Sequence, residues 1–188
     1  MGRGKLLKGL GTAGSTLLLA MIVVTVATKS AGQTTAQIPP PAPSNDISLV
    51  VKGAVQSELQ IGTAEWKVMA RAKLTAKDHG GVTHDYEGVT LQALLLQAGV
   101  PQGDTLRGKS VTLVVVAEGT DGYRAAFSVA ELDADFVGEQ VLVADTVDGK
   151  PLAAGEGPLR LVVPGDKVQA RAVRMLKSIT VVNAGGSQ

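Results

Sequence analysis

The chain has no cysteine. That absence removes disulfides, thiol redox chemistry, cysteine-ligated zinc, iron–sulfur clusters and a nucleophilic thiolate from the chemistry available to it. Aromatic residues make up only 3% of the 188 positions, so a core has to be built from Val, Leu, Ile and Ala. The apolar fraction of 45% is sufficient for this, because a domain of about 140 residues can bury enough surface to fold without covalent staples. Histidine is scarce as well: His79 and His84 are the only two, so any imidazole base, triad or proton relay depends on them.

Acidic residues are missing from the first 45 positions, whereas Arg3, Lys5 and Lys8 precede an uncharged stretch, Leu10 to Ala27, dense in Leu, Ile and Val. This is the layout of a secretory signal peptide, expected over residues 1–27. Thr25 and Ala27 supply the small side chains a signal peptidase requires, so cleavage is expected after Ala27, with Ala36 as the second choice. The alternative is an uncleaved anchor, because about 18 apolar residues is near the lower limit for spanning a bilayer. Without a Cys to lipidate, a lipoprotein anchor is excluded. Loss of residues 1–36 would lower the basic count from 18 to 14 against 17 acidic residues. A slightly acidic mature chain argues against a nucleic-acid partner held by phosphate neutralisation.

Residues 28–46, rich in Thr, Gln, Ala and Pro, read as an extended tether. A globular domain is expected over 47–184, followed by a tail, 185–188. It opens with Ile47, Leu49 and Val51 alternating with Ser48, Val50 and Lys52, as in a half-buried strand, and Gly53 permits a bend. Thr63 is expected to cap a short helix carrying Trp66, which should pack into the core. Arg71 to Thr75 and Val82 to Tyr86 read as strands joined by the turn Asp78-His79-Gly80-Gly81. Thr90 caps the best-defined helix, with Leu91, Leu94, Leu95 and Ala98 at spacings of three and four before Gly99 and Pro101.

Val111 to Val116 is a buried strand whose mate, Tyr123 to Phe127, follows the turn Gly119-Thr120-Asp121-Gly122, with Tyr123 expected to pack across strands. Ser128 and Glu131 form a capping box. Val141 to Ala144, Leu159 to Val163 and Ser178 to Val182 complete six to eight short strands with two or three short helices. The class is α+β with a mainly β core. The Gly-Asp turns lack the surroundings of a Walker or calcium loop and are read as hairpin turns.

Three segments occur in an order that resembles one family. Gly88-Val89-Thr90-Leu91 with Leu94-Leu95 and Ala98-Gly99 is followed by Asp121-Gly122-Tyr123. Then come Gly149-Lys150-Pro151-Leu152 and Gly157-Pro158-Leu159-Arg160-Leu161-Val162-Val163-Pro164. Together they resemble the sulfite-oxidase-type molybdopterin-binding domain over roughly residues 47 to 183. The resemblance implies that fold, and basic residues near the last segment that hold the phosphate of a pterin cofactor. Arg160, Arg171 and Arg174 are the matching positions, and three guanidinium groups could converge on an anion. The competing reading pairs them with carboxylates such as Asp166 or Glu156.

The departures from the family are specific. Its metal-ligating cysteine would fall near Ala76, which has no lone pair to offer. The leader Gly2-Arg3-Gly4-Lys5 lacks the arginine pair expected of cargo exported with cofactor already bound. Gly155 stands where bacterial relatives can offer an Asn. The expectation is therefore an exported, periplasmic or extracellular binding or accessory module without molybdenum redox catalysis. No cofactor is expected, and molybdopterin is the candidate the resemblance supplies. A small molecule or an exported protein is the partner class, with no nucleic acid, and a membrane only through an uncleaved N-terminal anchor. The first alternative is a molybdopterin-dependent oxidoreductase with a non-cysteine metal site. The second is a metal-binding or hydrolytic protein in which His79 and His84, with Asp78 or Asp85, approach a common ion across a hairpin.

Overall fold

The computed structural model describes residues 46–138 and 140–186. The expected leader, nearly all of the tether and the last two residues of the tail lie outside the described residues. Among the described residues no helix is long and apolar enough to cross a membrane.

The first strand, β1 (Ser48–Gly53), buries Leu49 and Val51 and exposes Ser48 and Lys52, the expected alternation. Gly53 holds φ at +98° where a Cβ would meet the Val181 carbonyl oxygen at 2.2 Å, so only glycine lets the two backbones approach. The chain returns through β2 (Leu59–Gly62), which sequence periodicity does not reveal because it is four residues long. Helix α1 (Thr63–Val68) follows, with Gly62 and not Thr63 as its N-cap. The Thr63 hydroxyl instead accepts the Ile47 amide at 2.9 Å, and the Glu65 carboxylate takes the Gly62 N–H at 3.0 Å. Trp66 is fully buried and donates its indole N–H to Asp145 at 2.7 Å.

Strands β3 (Ala72–Lys77) and β4 (Thr83–Thr90) form the expected hairpin, pairing Ala76 with His84 and Leu74 with Tyr86. Thr90 then caps α2 (Leu91–Gln97), accepting the Ala93 amide, and Leu91, Leu94 and Leu95 are wholly buried. The apolar run at Val111 begins as a 3-10 turn over Gly108–Thr112, leaving Val111 exposed, and becomes β5 (Leu113–Gly119) two residues later. Then come β6 (Arg124–Ser128) and the expected Ser128–Glu131 capping box on a 3-10 turn. The remaining strands are β7 (Leu142–Val147), β8 (Lys150–Pro151), β9 (Arg160–Val162) and β10 (Leu176–Asn183).

The strands form two sheets. One runs β2-β1-β10-β5-β6, antiparallel except for the parallel β1–β10 pair, and the other runs β3-β4-β7-β8, with β9 also paired to β7. The main core lies between the inner faces of both sheets and α2, and holds Leu49, Ile179, Leu94, Val89, Val143 and Leu161. Because side chains alternate along a strand, the next residues of the second sheet turn to its other face. There Ala76, Tyr86, Leu142, Ala144 and Val162 form a second, smaller cluster. That outer face is where the candidate site lies. The class is α+β with a mainly β core, as expected.

Candidate functional site

Ala76 is 6% exposed on β3, and beside it opens a cleft of about 690 Å³. Ala76, Lys77, Asp78 and His79 line one side, and the segment from Pro164 to Gln169 lines the other. A neighbouring hollow of about 280 Å³ shares Asp78, His79 and Gln169 with the cleft and adds Glu156, Arg160, Ala172 and Arg174. The position expected for the missing cysteine and two of the three expected arginines therefore border one continuous depression.

Arg160 reaches it by strand alternation, since it is two residues before Val162 on β9 and shares its face. It is 7% exposed, far from a solvent-facing strand residue. Its Nη1 donates to Glu156 Oε2 at 3.1 Å, and the guanidinium carbon sits 5.4 Å from the centroid of the Tyr86 ring. Its buried Nε–H has no partner among the described residues. A buried donor left unpaired costs free energy, so this arginine is under-satisfied where it borders the hollow. Tyr86, buried beneath it, has its phenol pushed above the ordinary value by burial. Arg174 is exposed at the rim.

Arg171 is placed differently and does not converge with the other two. It donates twice to Asp166, at 2.9 and 2.6 Å, and once to Glu131 at 3.1 Å, and it covers the Phe127 ring at 4.8 Å. Asp166 chiefly holds it more firmly charged than an ordinary arginine. It borders a third hollow with Phe127 and Glu131, which shares Pro164 and Asp166 with the cleft but not Lys77 or His79. Its fork geometry is spent on pinning the Pro164–Arg171 segment to the body, so the expectation of a phosphate contact here gives way to the competing carboxylate pairing.

Neutralisation leaves the cleft positive. Asp166 is matched by Arg171, and Asp78 lies 3.5 Å from His84 Nε2. Lys77 and Lys167 line the cleft with no carboxylate partner among the described residues. Together with Arg174 and with Arg160, whose charge is shared with Glu156, they leave the basin with more basic than acidic groups, suited to a small oxyanion or to an anionic group on a larger ligand.

Among the described residues the structure does not bring the two histidines into one ligand cluster. His84 is half-buried with Nδ1 2.6 Å from Asp148 Oδ2, so both its nitrogens face carboxylates, while His79 is exposed on the cleft. Among the described residues no group of three or more His, Asp and Glu could hold a metal ion. Strand spacing misses Asp148 because it reaches His84 from a turn 64 residues away. Tyr86 was readable in principle, since it lies two residues from His84 on the same strand.

For molybdopterin the fit is divided. Arg160 and Arg174 in the hollow suit the anionic end of such a group, though Glu156 and Asp78 line it too, but the wall at Ala76 supplies no donor for its metal and the chain has no thiolate anywhere. The metal therefore does not fit the donor set.

Comparison with known proteins agrees with the architecture. A family model described as "Oxidoreductase molybdopterin binding domain" matches residues 36–187, starting inside the expected tether. The fold is similar to the sulfane dehydrogenase SoxCD from Paracoccus pantotrophus, with a TM-score of 0.61 and 21% sequence identity. That match covers 76% of this chain and 40% of the other, so the chain spans well under half the length of its structural neighbour. No curated protein matches.

Proposed function

Because the chain belongs to the oxidoreductase molybdopterin-binding domain family, we propose that it is an exported binding module that uses the family's cleft for an anionic ligand and carries no molybdenum redox chemistry. One observation carries this reading: Arg160 is buried beside the hollow with Nε–H unpaired. A fold that needed this residue only for packing would use an apolar side chain there at lower cost. An oxyanion bound in the hollow would face the Arg160 guanidinium and be neutralised by Arg174 at the rim. Lys77 and Lys167 would draw the anion towards the cleft by their field. Ala76 supports the second half of the proposal, since no side chain at that position can replace a thiolate.

Two measurements test the reading. The mature protein, purified from its native host, should contain no stoichiometric molybdenum or pterin by elemental analysis and fluorescence. Either one at a full equivalent per chain would overturn the proposal. Calorimetric titration with inorganic phosphate should be saturable, weaken with salt and fall at least tenfold in Arg174→Ala. A flat titration with the folded protein would remove the anion-binding reading.

A further inference from the structure

We propose that the outer edge of β2 is a docking site for an extended polypeptide segment of alternating apolar and basic residues, taken up as an added strand. The site is distinct from the cleft and does not depend on the anion reading. A groove of about 600 Å³ runs past Glu58, Leu59, Gln60 and Ile61 in succession. Consecutive strand residues point to opposite faces of a sheet. A depression that touches four in a row therefore follows the strand's edge and not one of its faces.

That edge is unpaired, since β2 ends its sheet and has β1 as its one neighbour among the described residues. The hydrogen-bond pattern shows which groups it offers. The Gly62 N–H goes to Glu65 and not to β1. In an antiparallel pair, residues alternate between those bonded to the partner strand and those whose N–H and C=O point away. Gly62 opposes Ser48 and Gln60 opposes Val50, so Gln60, two residues from Gly62, turns its N–H and C=O outward. A row of such groups is a template for strand addition.

The far wall accounts for the side-chain preference. It is formed by Val68, Met69 and Ala93 from the ends of α1 and from α2, and Val68 is 85% exposed. Apolar side chains of an incoming strand would cover these. Among the described residues the charged ones lining the groove are Glu58 and Glu65, both exposed, so the complementary segment is basic.

The test uses the mature chain and a capped, fluorescently labelled heptapeptide of alternating lysine and valine, followed by anisotropy. The peptide is also made with alternate amides N-methylated, in each of the two registers. Strand addition predicts saturable binding that is lost at least tenfold in one N-methyl register and kept in the other, because only one edge of the peptide faces β2. In the protein, Gln60→Pro removes an outward N–H without touching the β1 ladder and should lose binding at least tenfold, while Gln60→Ala keeps it. Glu58→Lys should weaken binding severalfold. Thermal unfolding checks each variant, and the N-methyl pair decides the matter even if Gln60→Pro unfolds. Absence of saturation, or equal binding by both N-methyl registers, would overturn the proposal. So would concentration-dependent self-association abolished by Gln60→Pro, which would make a second copy of the chain the occupant.

Discussion

His84 Nδ1 lies 2.6 Å from Asp148 Oδ2 and so ties strand β4 to the turn between β7 and β8. Asp148 also takes the Asp85 amide at 3.0 Å and returns its own N–H to the Asp85 carbonyl at 2.8 Å, so the turn is held at three points. On the other side of the ring, Asp78 stands 3.5 Å from Nε2, at the mouth of the cleft. One imidazole therefore links a structural turn to a wall of the candidate site.

This clasp predicts a pH dependence. Asp148 chiefly raises the pKa of His84 above its ordinary value of 6.5. A pKa raised on folding means that the stabilisation is fully present below the unfolded value and is lost as pH rises through the folded one. Asp148 is lowered chiefly by His84, and Asp78 chiefly by the Val82 amide, from an ordinary 3.8. Their share is present above that value and lost as pH falls through the lowered ones. The gap in melting temperature between wild type and His84→Gln should thus be widest between these limits and shrink above the His84 midpoint. A His84 midpoint at or below 6.5 in an NMR titration would contradict the geometry.

Asp145 predicts a stability effect. Burial opposes its ionisation, but Arg71 and Trp66 outweigh burial and the pKa is lowered. Arg71 grips it with two bonds, at 2.8 and 2.6 Å, while Trp66 donates from α1. Asp145→Ala strands a fully buried indole N–H and should cost roughly 1–3 kcal/mol in urea unfolding. Asp145→Asn, which keeps an oxygen for Trp66, should cost less. Equal losses would mean that the charge pair with Arg71 dominates.

A steric prediction follows from Gly88, where the β4–β7 register shifts by one residue. A Cβ there would lie 1.9 Å from the Val143 carbonyl oxygen and 2.6 Å from Ala144 Cα, both backbone atoms that no rotamer change can move. Gly88→Ala should destabilise by about 3 kcal/mol or more, seen as loss of soluble folded protein or a collapse of the melting temperature.

How far each feature could be read in advance depends on how local its cause is. Helix α2 is fully specified by its own segment, through Thr90 as cap, leucines at helical spacing and Gly99 in a left-handed conformation at its end. The burial of Arg160 is half-local: alternation on β9 assigns its face, but that the face is the one bearing Tyr86 follows only from β9 and β4 both pairing with β7. The family resemblance and a nearby segment group Arg171 with Arg160 and Arg174. The main partner of Arg171, Asp166, is five residues away and is the pairing the competing reading names, whereas its second partner, Glu131, is 40 residues away on another turn, which no spacing rule reveals. Strands β2 and β8 are not legible for a simpler reason: at four and two residues they are too short for periodicity to register.

Arg160 separates a functional from a structural reading most sharply. Among the described residues it has one ion pair, to a Glu156 whose side chain is 36% exposed, and an Nε–H with no partner. An orphaned buried donor costs about 1–3 kcal/mol, and the pair it makes offsets that only in part. Methionine of similar length could lie over Tyr86 with a favourable sulfur–aromatic contact, and Glu156 could turn to water. Arg160→Met should therefore unfold within about 1 kcal/mol of wild type, or later, because an under-satisfied charge is replaced by an apolar chain of similar volume. The same variant should lose phosphate affinity at least tenfold. Chemical denaturation and calorimetry on one preparation decide between the readings. A loss of several kcal/mol with anion affinity intact would make Arg160 a structural residue, whereas stability kept and affinity lost is the signature of a residue retained for its ligand.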